Sequence, residues 1–91
     1  MKWVEVIKLR SAGKVPESLR AILSGLLENG PSGLTEARLY RHALWEMDWS
    51  LHLHWESEHS EKEGSALGLR LAQTLKEFGL VDHSSWIEES E

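Results

Sequence analysis

Three histidines, a tyrosine and a carboxylate crowd one short stretch, LYRHALWEMDWSLHLHWE at residues 39–56, as Tyr40, His42, His52, His54 and Glu56. Imidazole titrates near neutral pH and serves as a proton carrier, or as a ligand for Zn²⁺ or Fe²⁺. His52, His54 and Glu56 recur at every second position, and Trp49, Leu51, Leu53 and Trp55 fill the positions between. Side chains of a strand point to opposite faces in turn, so this is a strand with one apolar face and one histidine-bearing face. Leu39–Trp45 is also rich in strand-compatible residues, with Glu46-Met47-Asp48 as the turn of a hairpin. An odd-length loop puts Tyr40 and His42 beside His52 and His54, and groups Leu39, Ala43 and Trp45 with the apolar set. An even loop places imidazoles among Leu53 and Trp55, where burying an unsatisfied polar group costs about 1–3 kcal/mol. The odd loop is therefore expected.

Three uses compete for this row: a metal site, a ligand-contacting or proton-transferring wall, and a hydrogen-bonded polar layer. The polar layer is the simplest; no metal or cofactor is expected. Tyr40, His42, His52, His54 and Trp55 stand as the candidate ligand contacts. His59 lies in a charged, solvated segment, and His83 reads as an edge residue with no evident partner. Ser84-Ser85 lacks the strand-to-helix elbow and base of a serine nucleophile. Gly64 and Gly68 lack the context of a phosphate loop. The acidic residues of Glu56–Glu63 lack converging oxygens for a divalent cation.

The elements that position these residues follow from periodicity. Trp3–Leu9 reads as a strand with Val4 and Val6 on one face and Trp3, Ile7 and Leu9 on the other, which suits a central strand. Ser11–Lys14 forms a loop and Pro16 the first turn of a helix. Leu19, Ile22, Leu23, Leu26 and Leu27 give an amphipathic stripe, ended by Asn29-Gly30-Pro31-Ser32-Gly33. After the hairpin, a cap at Ser60 with Glu63, or at Ser65, starts a second helix carrying Leu67, Leu71, Ala72, Leu75 and Phe78. Gly79 stops it, Val81–Glu88 is the last strand, and Glu88–Glu91 a solvated tail. The order βαββαβ is that of an α+β ferredoxin-like fold, in which right-handed crossovers set both helices on one face of a four-stranded antiparallel sheet. The other face is left bare. Burying a Leu or Trp is worth roughly 1.5–3 kcal/mol, so that face and five Trp favour a partner sheet and a homodimer.

Composition narrows the classes. Ninety-one residues, 41% hydrophobic and 27% charged, make one globular domain over residues 1–91. A net charge of −5 with scattered Lys and Arg excludes a nucleic-acid partner. The absence of Cys excludes a disulfide framework, a thiolate metal site and a cysteine nucleophile, and fits the cytoplasm. No apolar run approaches the ~20 residues that span a bilayer, and MKWVEVIKLR alternates where a signal peptide would be continuously apolar. No membrane partner is expected.

With Gly30-Pro31-Ser32-Gly33 before the second strand and Trp55-Glu56-Ser57 closing the third, the chain resembles the antibiotic-biosynthesis-monooxygenase-like family over nearly its whole length. The resemblance implies a homodimeric α/β barrel of two facing sheets, with a pocket between each sheet and its helices, and a small aromatic ligand. The Asn, Trp and His of haem-degrading members have no counterparts: Trp3–Leu9 contains no Asn, and Gly64 and Thr74 stand where the Trp and His belong. Three functions follow as expectations. The first is small-molecule binding, with an apolar Trp-lined pocket and His52 and His54 as polar contacts. The others are a cofactor-independent monooxygenase acting on a phenolic or quinol-type compound, and a structural or regulatory dimer without ligand.

Overall fold

Six elements appear in the computed structural model, which describes residues 1–13 and 17–89 and, apart from the side chain of Leu27, their side chains. They are β1 (Lys2–Ser11), α1 (Ser18–Asn29), β2 (Leu34–Arg41), β3 (Asp48–Glu56), α2 (Ala66–Leu75) and β4 (Gly79–Ile87). The four strands form one antiparallel sheet in the order β2-β3-β1-β4, with β1 in the centre as its two apolar faces require. This is the ferredoxin-like α+β fold. The expectations placed on Lys14, Pro16 and the last two residues fall outside the described residues.

Both helices lie on one face. Leu19 and Leu23 of α1 and Leu67, Leu71, Ala72 and Leu75 of α2 share a core with Trp3, Ile7, Leu9, Leu51, Leu53 and Trp55 of the sheet. Ile22 does not join them: it is 41% exposed, at the margin of the stripe it was expected to share with Leu19 and Leu23. Ser65 is the N-cap of α2, its Oγ accepting the Gly68 N–H at 2.9 Å, so the helix begins after the second of the two caps the sequence offered.

The hairpin has the expected odd register, with Tyr40 opposite Ser50, Arg38 opposite His52 and Glu36 opposite His54. Its first strand is shifted from the expected span. It begins at Leu34 and ends at Arg41, because the chain leaves the ladder after the bond from His42 N–H to the Asp48 carbonyl (2.8 Å). Ala43 and Trp45 therefore lie in the loop rather than beside Trp49, and Trp45 is 62% exposed. A histidine explains the early exit. His42 Nδ1 accepts the backbone N–H groups of Leu44 (3.0 Å) and Trp45 (3.1 Å), which folds the chain into a tight loop instead of continuing the strand to Trp45.

Candidate functional site

On the sheet face turned away from the helices, β1 contributes Val4, Val6 and Lys8, and β2 Glu36, Arg38 and Tyr40. From β3 come Ser50, His52 and His54, and from β4 Ser84 and Trp86. The pleat assigns them there because their alternates, Trp3, Glu5, Ile7, Leu51, Leu53 and Trp55, are buried under the helices. The Tyr40 and His52 rings meet at 4.7 Å between centroids with a 53° tilt, and His52 and His54 lie 6.4 Å apart. The Ser50 hydroxyl is 2.9 Å from His52 Nε2. Partial burial lowers the His52 pKa from its ordinary 6.5, and the neighbouring His54 and Lys8 lower it further. Arg38 is hydrogen-bonded to Glu36, which raises its already high pKa.

Tyr40, His52 and His54 are thus brought together as one row. His42 stands beyond the end of β2, and its Nδ1 is spent on the loop amides, so the ring carries its neutral-state proton on Nε2. The Trp55 ring lies on the other face of the sheet from the row. It is buried on the helix side and stacks on Trp3 at 5.5 Å with a 15° interplanar angle. Trp55 and the histidines project from opposite faces of one strand. Two open grooves border the row. One of about 480 Å³ is lined by Lys8, Tyr40, His42, Ser50 and Leu80 among others. The second, of about 540 Å³, includes Val4, Glu36, His54 and Trp86 and, from the other face, Trp3 and Trp55, so it is touched by both His54 and Trp55. Among the described residues, no group of three or more His, Cys, Asp or Glu side chains converges to hold a metal ion.

A second cluster lies under α2, and the sequence reading passed over it. Glu5 is wholly buried in the centre of β1. Its Oε2 accepts the Ser65 N–H at 3.1 Å and faces His83 Nε2 at 2.7 Å, while Oε1 accepts the Ser65 hydroxyl. His83 was expected to have no partner. Its strand is indeed at the sheet edge, but its side chain turns inward against β1, where the register sets it opposite Ile7 and diagonal to Glu5. Two glycines make room. A Cβ on Gly68 would stand 1.9 Å from Glu5 Oε2, and one on Gly64 would stand 2.3 Å from His83 Cε1. Gly64 also has a φ of 107°, a left-handed conformation that costs glycine little. The sequence did carry a signal for this cluster. Trp3, Glu5, Ile7 and Leu9 share one face of a strand, and a carboxylate at a core position needs a partner.

No known family profile matches the chain, and no curated protein matches it in sequence. Among solved structures, that of Rv0793 from Mycobacterium tuberculosis is similar, with a TM-score of 0.67 and 18% identity over 100% of this chain and 98% of the other. At that identity the likeness is one of fold.

Proposed function

We infer that the protein is a homodimeric small-molecule-binding protein of the monooxygenase-like dimeric α/β-barrel kind, taking a small aromatic ligand in the cytoplasm. The observation that carries this reading is the uncovered sheet face, on which Val4 and Val6 lie beside His54 and His52 of the Tyr40–His52–His54 row, with Trp86 beyond Val4. A second copy laid face to face covers the valines, and the grooves bordering the row become clefts walled in part by the partner. Tyrosine and imidazole offer such a cleft hydrogen bonds and ring contacts suited to a hydroxylated aromatic. Titration of the dimer with a panel of hydroxylated aromatics, followed by tryptophan fluorescence, tests the reading. Saturable binding is expected, weakened in His52→Gln with melting little changed. A panel without saturable binding would leave the dimer as a structural or regulatory one without ligand.

A second reading, a cofactor-independent monooxygenase acting on a phenolic or quinol-type compound, draws support from the Glu5–His83 pair. Removing the proton of a phenolic hydroxyl makes the ring electron-rich, which is what reaction with dioxygen requires. Oxygen uptake during aerobic incubation with a dihydroxy-aromatic panel separates this reading from simple binding.

A further inference from the structure

We propose that Glu5 and His83 form a proton-accepting pair that ionises a phenolic ligand at the β4 edge beneath α2, a proposal that rests on the aromatic ligand class inferred above. The carboxylate has no exposed surface, whereas the His83 side chain is 13% exposed, so of the two only the imidazole is open to a ligand from solvent. Both carboxylate oxygens already accept hydrogen bonds from Ser65, and Oε2 can take a further bond from His83 only if Nε2 carries the hydrogen. A neutral His83 therefore keeps a lone pair on Nδ1. A buried carboxylate that fixes the tautomer of a more exposed imidazole and stands ready to stabilise its cation is the working core of a general base.

Anchoring α2 uses Glu5 but does not require His83. Ser65 caps the helix through its own hydroxyl, and its bonds to Glu5 already tie the helix end to β1. Gly64 and Gly68 let the backbone approach so closely that a side chain at either position would collide with His83 or the carboxylate, so the pair is seated in room that only glycine leaves. Nearby, the register sets Ser85 directly opposite Glu5, and its buried hydroxyl has no partner among the described residues. The buried Trp55 indole N–H, on the same side of the sheet, is likewise unpartnered. The layer thus holds a base and two unused hydrogen-bonding groups.

The step is a proton transfer alone. The phenolic O–H bond breaks and an Nδ1–H bond forms, giving a phenolate and an imidazolium whose charge lies 2.7 Å from Glu5 Oε2. No oxidant or other reactant is consumed.

Para-nitrophenol is the probe, because its phenolate is coloured and its phenol is not. In buffer below its own ionisation, binding is followed by tryptophan quenching and ionisation by the phenolate absorbance. The expected result is a phenolate band that grows with protein. In His83→Gln, whose amide N–H replaces the Nε2 donor but supplies no base, the expected result is retained quenching and loss of the band. An equal band in His83→Gln, or a bound phenol that stays colourless in the wild type, overturns the pair's role and leaves aromatic binding standing. Absence of any binding overturns both. Imidazole nitrogen NMR on the unliganded protein gives an independent check: the neutral ring is expected to carry its hydrogen on Nε2 with a bare Nδ1, and an Nδ1–H tautomer refutes the proposal.

Discussion

At the level of single residues, the two faces of the sheet use histidine in different ways. His83 faces a buried carboxylate, whereas His52 sits in a half-buried row beside another imidazole and a lysine. The folded state disfavours the charged form of His52, so the unfolded chain binds a proton there more readily. Its contribution is therefore neutral to stability above the ordinary histidine pKa of 6.5, and stability is lost as pH falls through 6.5 toward the lowered value. His52→Gln is expected to flatten that part of the pH–stability curve measured by urea unfolding; an unchanged slope would mean that His52 is not the group responsible. Glycines provide a sharper test of the buried network. Gly68→Ala pushes a methyl into Glu5 and is expected to destabilise by about 1–3 kcal/mol. Gly25→Ala in α1 meets no atom within 4 Å and is expected to stabilise by about 0.5–1 kcal/mol, through the helix propensity of alanine. Chemical denaturation of both variants checks the pair, and equal effects would contradict the packing of α2 on Glu5.

At the level of elements, α1 holds its half of the core through few of its described side chains, since Ile22 is exposed and Leu26 only half-buried. Leu19 and Leu23 carry the contact, and Leu23→Ala is expected to cost about 2–5 kcal/mol by leaving a cavity; a loss below about 0.5 kcal/mol would place that helix face in solvent. The same stripe shows how far periodicity reaches. The i, i+3, i+4 spacing and the strict alternation of Trp49–Glu56 identify helix and strand because each pattern suits one backbone geometry. They also yield the element order and hence the sheet. The extent of β2 was not legible, because the strand ends where His42 bonds its own loop, a local competition that composition does not reveal. Tyr40, His52 and His54 could be assigned to one face from register alone. Trp55 could not join them, since its position in the alternation sends it to the other side. Glu5 and His83 were missed for a different reason: they are 78 residues apart, and only the β1–β4 pairing with α2 packed above brings them together.

At the level of the whole molecule, the fold leaves an asymmetry that one chain cannot correct. Two helices cover one side of the sheet, and the other side presents Val4, Val6, Tyr40 and Trp86 among the histidines and the polar Lys8, Glu36, Arg38, Ser50 and Ser84. Trp86 is 60% exposed and Tyr40 43% exposed, so large apolar surface remains in contact with water. Association through this face would return roughly 25 cal/mol for each Å² of apolar area removed from water, and a twofold axis would set the same patch of each protomer against the other. The protein is therefore expected to sediment as a dimer at micromolar concentration. Val6→Lys separates association from folding, because Val6 points away from the helices and its neighbours across the strands are His52 and Ser84 rather than core leucines. A buried, unpaired ammonium on each protomer opposes face-to-face packing, while in the monomer the same side chain extends into water. Sedimentation should give a monomer for Val6→Lys with a cooperative melt retained. A wild-type chain that sediments as a monomer, or a variant that remains dimeric, would remove the sheet face as the interface, and the clefts that depend on it.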